Sequence, residues 1–485
     1  MTRLRAALAG LLLPAAAAAG VRPTYCGCDL AIGLPAAPRQ WDPARAMDPV
    51  DLLALGVHHA TPLVVAPAGL APGLLAEVPE PQAGGRAFRL VLKPDLRFAD
   101  GTPLGAADLA ASLARLAQPG TPHGWIALPI DGADAVLDGR PGAPAGIQVL
   151  SDREVLVTLS FPLPDFPAAL ATIPAAVVSA RGFGAGPFAG ARPVRADGAF
   201  VQARANDACA QGRPFADTAS LGAVDPRGAA RQLERALSED GLLLVLRPEA
   251  AGPGAVALPA RTATYAALGP RLGAAADAVR AALGSIDRAE LARLYVRGPS
   301  EPLATLLPSA VLPAPLPAQA AAPAPAPGPR RAAPAVRIAL LVLSASSEQR
   351  AVVQRLQVKL FDRGIQSSIE TADAERFWPR VTAGDYDVAL VPVPLLAARP
   401  AIAAGEVAWA LRGAAAARRA MASLSALPPS ELGPALQALA RDLDAIPLFA
   451  SGLRATPAPA LQGLAPRPDG TIDFGDLWVW QGASR

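Results

Sequence analysis

A proline or a glycine stands at roughly every fifth position of this 485-residue chain, 53 prolines and 43 glycines in all. Proline lacks the amide that a helix interior or a central strand needs, and glycine loses the most freedom on ordering, so long uninterrupted helices and coiled coils are excluded. What remains is a set of short elements joined by many turns. Apolar residues at 52% and charged residues at 18% supply too much burial and too little charge for intrinsic disorder. Single cores stop growing near ~250 to 300 residues, so this length calls for two or three domains. The net charge of +3 rests almost entirely on arginine, with Lys93 and Lys359 the only lysines. No basic cluster interleaved with aromatics tracks a phosphate backbone, so nucleic acid is not an expected partner.

The first twenty residues read as an export signal. Arg3 and Arg5 give a positive start, Ala6 to Leu13 an apolar run, and Pro14 to Gly20 a small-residue stretch suited to cleavage near Ala19 or Gly20. The run is shorter than the ~20 residues a bilayer core requires, and Pro14 interrupts it, which argues against a membrane anchor. No later stretch is long and apolar enough to span a membrane, so a periplasmic location with the signal removed is the expectation.

Cys26, Cys28 and Cys209 lie beyond that cleavage point. An oxidising compartment permits a bridge from Cys26 or Cys28 to Cys209, with one thiol left over. A lipid on Cys26 is a second reading, disfavoured because Pro23, Thr24 and Tyr25 are not the small apolar run expected before such a cysteine. A three-thiol metal site is a third, and it lacks a fourth ligand nearby.

Along the mature chain, Ala87 to Leu92 reads as a strand, Pro94 and Asp95 as a turn, and Gly105 to Leu116 as a helix with Asp108 in its first turn. Ile147 to Leu150 and Val155 to Ser160 read as a β-hairpin. Ala229 to Ser238, Ala274 to Gly284 and Asp287 to Val296 have helical spacing. Leu312 to Ala335 is nearly all proline and alanine, which stays extended and reads as an exposed loop or linker. Beyond it come a strand at Val336 to Leu343, a helix at Gln349 to Phe361, a strand at Gly364 to Glu370, a short helix at Phe377 to Ala383 and a strand at Asp387 to Val393. That alternation predicts a mostly parallel sheet covered by helices, an α/β lobe.

Catalytic chemistry finds no frame. The histidines are His58, His59 and His123, and the first two, being consecutive, point apart and cannot chelate together. Gly182 to Gly190 (GFGAGPFAG) lacks the Lys and Ser/Thr of a phosphate loop, and Pro187 and Pro193 forbid the helix that should follow. The carboxylates are scattered, so neither an enzyme nor a cofactor is expected.

Several segments recur in a telling order. WDPARA at Trp41 to Ala46, LAPGLLAE at Leu70 to Glu77 and FRLVLKPDLRFADGTPLGAADLAASL at Phe88 to Leu113 lead the series. GAGPF at Gly184 to Phe188, AALGSIDRAEL at Ala281 to Leu291, Ile446 to Leu448 and GLAPRPDGTIDFGDLW at Gly463 to Trp478 follow. In that order they resemble the extracellular solute-binding protein family 5, the dipeptide, oligopeptide and nickel receptors of ABC importers. The most specific piece is the strand, Asp-Gly-Thr-Pro turn and helix of Phe88 to Leu113.

The resemblance implies an α/β, two-lobed periplasmic-binding-protein-like fold of type II, with an extra subdomain in the N-terminal lobe. Residues 21–49, 173–261 and 455–485 would form the first lobe, 50–172 its subdomain, and 262–454 the second lobe with the Pro/Ala-rich loop 312–335. Hinge crossings would fall near Ile173, Arg261 and Leu453. The implied function is capture of a small organic or peptide-like ligand between the lobes and its delivery, by a monomer, to an ABC permease in the inner membrane. The alternative is a degenerate member acting as a sensor or protein-interaction scaffold. By analogy the ligand would meet Gly33, Leu34 and Pro35 after the first strand, and Val391, Pro392, Val393 and Pro394 at the end of the third strand of the second lobe. Trp125 and Trp378 would be apolar walls, although large aromatics more often belong to cores, and Arg39 would meet an anionic group. Peptide receptors of the family place an amine-binding Asp just after that third strand, where this chain reads VPVPLLAARP, with no carboxylate between Asp387 and Glu406. No preference for a free peptide N-terminus is therefore expected, and nickel capture lacks a suitable histidine.

Overall fold

In a computed structural model, residues 27–193, 200–224, 243–249, 254–313, 336–344 and 347–480 are described. The export segment, Cys26, the helix expected at Ala229 to Ser238 and residues 314–335 of the Pro/Ala stretch lie outside the described residues. Among the described residues no helix is long and apolar enough to cross a membrane.

The strands form two large sheets and smaller ones. We number them β1 Asp29–Leu34, β2 Leu63–Ala66, β3 Gly69–Pro72, β4 Ala87–Val91, β5 Ile147–Ser151, β6 Glu154–Thr158, β7 Phe188–Pro193, β8 Phe200–Ala205, β9 Thr218–Ala223 and β10 Leu244–Arg247. There follow β11 Val256–Ala257, β12 Thr262–Leu268, β13 Ser300–Pro302, β14 Val336–Leu343, β15 Ile365–Ala372, β16 Val388–Pro394, β17 Ala445–Ser451 and β18 Arg454–Pro457. The first lobe is built on a seven-stranded sheet in the order β11-β18-β10-β1-β9-β8-β7, and the second on a six-stranded sheet in the order β13-β17-β12-β16-β14-β15. A three-stranded sheet, β4-β6-β5, supports the subdomain.

β14, β15 and β16 run parallel, as their intervening helices require. The second lobe's sheet as a whole is mixed, however, because β12 pairs antiparallel with both β16 and β17, and β13 antiparallel with β17. The mostly parallel sheet expected from sequence is corrected to that extent. β12 enters directly from the first lobe rather than through a strand-helix-strand crossover, so nothing fixes its direction to that of its neighbours.

Period-two side-chain alternation lets each central strand of this sheet feed two cores. Ile338, Leu340 and Val342 of β14, Ala266 and Leu268 of β12, and Val388 and Leu390 of β16 join Val352, Leu356 and Leu360 of the helix Ser347–Phe361. Tyr265, Leu341, Val391 and Val393 belong instead to a core that continues into the subdomain through Trp125, Phe88, Leu90, Leu109 and Phe166. Leu30, Ile32 and Leu34 of β1, with Leu244, Phe188 and Phe474, form the core of the first lobe.

The strand-turn-helix unit is present as expected, with the helix at Ala106–Arg115 and the Gly105 amide donating to Asp108 Oδ2 at 2.9 Å. Three helices that no pattern above singled out, Pro400–Arg412, Ala414–Leu424 and Pro429–Asp442, fill the span between β16 and β17. Two of them begin with a proline in the first turn, and Gly413 separates the first two.

Candidate ligand-binding cleft

Among the described residues the chain crosses between the two large sheets twice, from β11 to β12 and from β17 to β18. The crossings lie side by side, joined by the Leu258 amide donating to the Leu453 carbonyl at 2.9 Å. Two adjacent extended segments are a geometry about which two bodies can rotate.

Arg261 stands at the first crossing and is buried. Its Nε donates to the Leu395 carbonyl at 2.8 Å and its Nη2 to the Ala397 carbonyl at 2.5 Å, while the Leu395 amide donates to the Arg261 carbonyl at 2.7 Å. Glu406, on helix Pro400–Arg412, holds the same loop from the other side. Its Oε2 accepts from the Leu396 amide at 3.0 Å and the Ala397 amide at 3.4 Å. Burial pushes the Glu406 carboxyl up to about 8, against the opposing pull of those amides and of Arg261. It is therefore protonated at neutral pH. The loop after β16, which faces the cleft by the family analogy, is thus clamped by an arginine from the hinge and a neutral carboxyl from its own lobe. Sequence reasoning noted Glu406 only as the end of a carboxylate-free stretch. The available signal was an acidic residue inside the apolar run Ala401 to Ala410.

Leu396, at the tip of this loop, packs on a small cluster of Ala46, Leu52 and Leu55 together with Trp41 and Ile173. Trp409 reaches from the second lobe to the subdomain. A Cβ on Gly124 would stand 2.5 Å from its ring carbons and 3.0 Å from Leu137 Cδ2, so the ring lies directly on the Gly124 backbone. Around it, Arg418 donates to Ser160 Oγ at 2.8 Å, pairs with Asp134 at 3.4 Å and lies over the Phe161 ring at 5.7 Å. Arg399 pairs with Asp165 at 3.7 Å; burial raises the Asp165 carboxyl and Arg399 opposes that rise. These contacts join the second lobe to the subdomain and, through Leu396, to the first lobe.

The residues expected to line the cleft are divided by this arrangement. Gly33 and Leu34 are buried in β1, with Leu34 in the first-lobe core, and Pro35 is half-buried beside them. Val391 and Val393 are enclosed in the shared core, whereas Pro392 and Pro394 alternate to the other side and are half-buried. Trp125 is 1% exposed and is a core residue, not an open wall. Trp378 is half-buried, edge-on to Phe377 with ring centroids 5.2 Å apart. Arg39 is exposed, and its amide donates to Asp51 Oδ1 at 2.7 Å.

The histidines are structural. His123 is buried with Nε2 2.6 Å from the Ala46 carbonyl, and burial lowers its pKa to about 4. His59 is buried, lowered to about 3 by that burial. His58 Nδ1 lies 3.2 Å from the Phe188 carbonyl. Cys209 is a buried thiol rather than half of a bridge, and burial raises its pKa. Among the described residues no group of three or more His, Cys, Asp or Glu could hold a metal ion.

Two α/β lobes on a double hinge, with a subdomain on the first, define a solute-binding-protein-like architecture. Residues 69–208 match the family model "Bacterial extracellular solute-binding proteins, family 5 Middle". The chain is thus family 5 solute-binding-protein-like. Its fold is similar to that of the Escherichia coli murein tripeptide binding protein MppA, with TM-score 0.74 and 17% identity over 93% of this chain and 98% of that one. It is similar as well to Haemophilus influenzae OppA, solved in complex with RPPGFSPFR, with TM-score 0.75 and 16% identity over 93% and 99%. A periplasmic oligopeptide-binding protein of Borrelia burgdorferi gives TM-score 0.75 at 15% identity over 93% and 100%. No curated protein sequence matches the chain.

Proposed function

We propose that the protein is an exported receptor that captures a small organic or peptide-like ligand between its lobes and passes it to an ABC permease of the inner membrane. The lobe and subdomain boundaries are those of the sequence reading. The observation that carries the proposal is the pair of adjacent crossings joined between Leu258 and Leu453.

The cleft should not prefer a free peptide amine. Glu406, the first carboxylate after β16, is buried, protonated at neutral pH and engaged by two backbone amides, so it cannot neutralise an ammonium. Calorimetry with di- and tripeptides and their N-acetylated forms should show affinity unchanged by acetylation. Micromolar binding of free peptides that acetylation abolishes would overturn this reading of the cleft.

We propose a periplasmic location from the N-terminal pattern. The mature chain should begin near Val21 and carry no lipid, which N-terminal sequencing and intact mass measure; an acylated Cys26 or Cys28 would refute it.

A further inference from the structure

Leu396 sets one side chain of the second lobe into an apolar socket on the other body. The residues flanking it are pinned, since the Leu395 and Ala397 carbonyls accept from Arg261 at 2.8 and 2.5 Å and the Leu396 amide donates to Glu406 Oε2 at 3.0 Å. Leu395 and Ala397 are buried, whereas Leu396 between them is half-buried. Its side chain packs on Ala46, Leu52 and Leu55, with Trp41 and Ile173 partly buried around them. It also touches the core that the second lobe shares with the subdomain.

The socket itself is built without the second lobe. Leu52 and Leu55 belong to the helix Pro49–Leu55. Ala46 stands in the turn before that helix, where its amide donates to the Asp42 carbonyl at 3.1 Å and its carbonyl lies 2.6 Å from His123 Nε2. Separation of the lobes would therefore withdraw Leu396 and leave the socket formed. Leu52 and Ile173 also line a cavity of about 70 Å³, whose lining among the described residues includes none from the second lobe. A single water needs about 10 to 15 Å³ by that kind of measure, so there is room for several atoms beyond the Leu396 side chain. The cavity's charged residues are engaged with near neighbours. Arg467 donates to Asp473 Oδ2 at 2.5 Å, and Asp469 Oδ1 accepts from the Thr471 amide at 3.0 Å and its hydroxyl at 2.7 Å. His59 adds wall area only, because its unpartnered Nδ1 is buried.

We propose that this socket is a subsite of the interlobe cleft for a branched aliphatic side chain of the ligand, and that Leu396 competes with the ligand for it. The inference rests on the receptor function proposed above. An aliphatic group gains from burial against Ala46, Leu52 and Leu55, while a polar one would lose its hydration and find no partner there. Because Leu396 must leave before a ligand side chain enters, apparent affinity is reduced by the fraction of molecules whose socket is free.

N-acetyl-leucinamide and N-acetyl-glycinamide are the probes; they differ only in the isobutyl side chain, and neither carries a charged amine. Binding to the full-length protein and to Leu396→Ala is followed by calorimetry and by the rise in unfolding temperature with probe concentration. Leu396→Ala should bind the leucine probe about tenfold more tightly than the glycine probe, and about tenfold more tightly than the unmodified protein binds it. Adding Ala46→Leu, which refills the socket, should abolish both differences. Equal affinity of Leu396→Ala for the two probes overturns the proposal, as does binding of neither probe, no gain over the unmodified protein, or a preference that survives Ala46→Leu. If the double variant does not fold, the two ratios measured with Leu396→Ala decide the matter. Failure of the receptor reading looks different: the leucine probe would bind as expected but leave the radius of gyration unchanged at saturation, so that the socket stands and enclosure between lobes does not.

Discussion

Replacing Trp409 with alanine should lower stability by about 2 to 4 kcal/mol and enlarge the molecule, seen as a larger radius of gyration in small-angle scattering. The indole is half-buried between the second lobe and the subdomain, flanked by the exposed or half-buried charge pairs of Arg418 with Asp134 and Arg399 with Asp165. Pairs of that kind contribute roughly 0 to 1 kcal/mol each. The apolar contact therefore dominates this part of the interface. Gly124→Val tests the same contact from the other side. Its Cβ would overlap the ring carbons at 2.5 Å, and overpacking of this kind costs about 1 to 3 kcal/mol. Combining the two substitutions should cost less than their sum, because valine enters space that the indole has left. Additive losses, or an unchanged scattering profile in Trp409→Ala, would show that Trp409 does not hold the lobes together.

Glu406→Gln should remove a pH dependence of stability that the unmodified protein shows between about pH 4.5 and pH 8. The folded-state pKa of about 8 lies above the model value of 4.5. The folded protein thus binds more protons than the unfolded chain across that window, and its stability falls as pH rises through it. At about 1.4 kcal/mol per unit, the loss is on the order of 5 kcal/mol, complete near pH 8. The groups whose fields reach the carboxyl are Arg261, which favours its ionised form, and Tyr265, whose own pKa burial raises and the Glu406 charge raises further. His59 and His123 act in the opposite sense. Their lowered folded pKa values give stability that is present above about 6.5 and lost as pH falls toward about 3 for His59 and about 4 for His123. Comparing urea unfolding of the unmodified protein and Glu406→Gln at pH 5 and pH 8.5 cancels the histidines. The variant should gain relative stability at the higher pH by several kcal/mol, and an identical shift in both proteins would contradict a neutral buried Glu406. Glu406→Leu, which leaves the Leu396 and Ala397 amides unpaired, should be destabilised at both pH values by about 1 to 3 kcal/mol.

Elements whose hydrogen bonds close within a few residues could be read directly. The Asp100-to-Pro103 turn is held by Asp100 Oδ1, which accepts from the Thr102 amide at 3.0 Å and its hydroxyl at 2.6 Å. The helix after it has its Asp108 cap, and the hairpin of β5 and β6 closes through a short polar turn. The three parallel strands β14, β15 and β16 were legible for a related reason, since the apolar runs of β14 and β16 and the alternating β15, separated by helical spacing, leave few alternatives. The direction of β12 was not. Its partners β16 and β17 lie more than a hundred residues downstream, and no local pattern records which way a strand enters a sheet.

The residues that the family resemblance places at the cleft divide in the same way. Val391, Val393, Leu34 and Trp125 are apolar, and an apolar side chain serves a core and a cleft wall equally well until its neighbours are known. The sequence by itself determined the local elements and their α/β alternation, because each is written in spacings of a few residues. Only the tertiary structure decided that Arg261 grips a loop 134 residues away, that Glu406 is neutral, and that Trp409 rests on the bare backbone of Gly124. Burial and long-range contact set those properties, and neither exists until the chain has closed on itself.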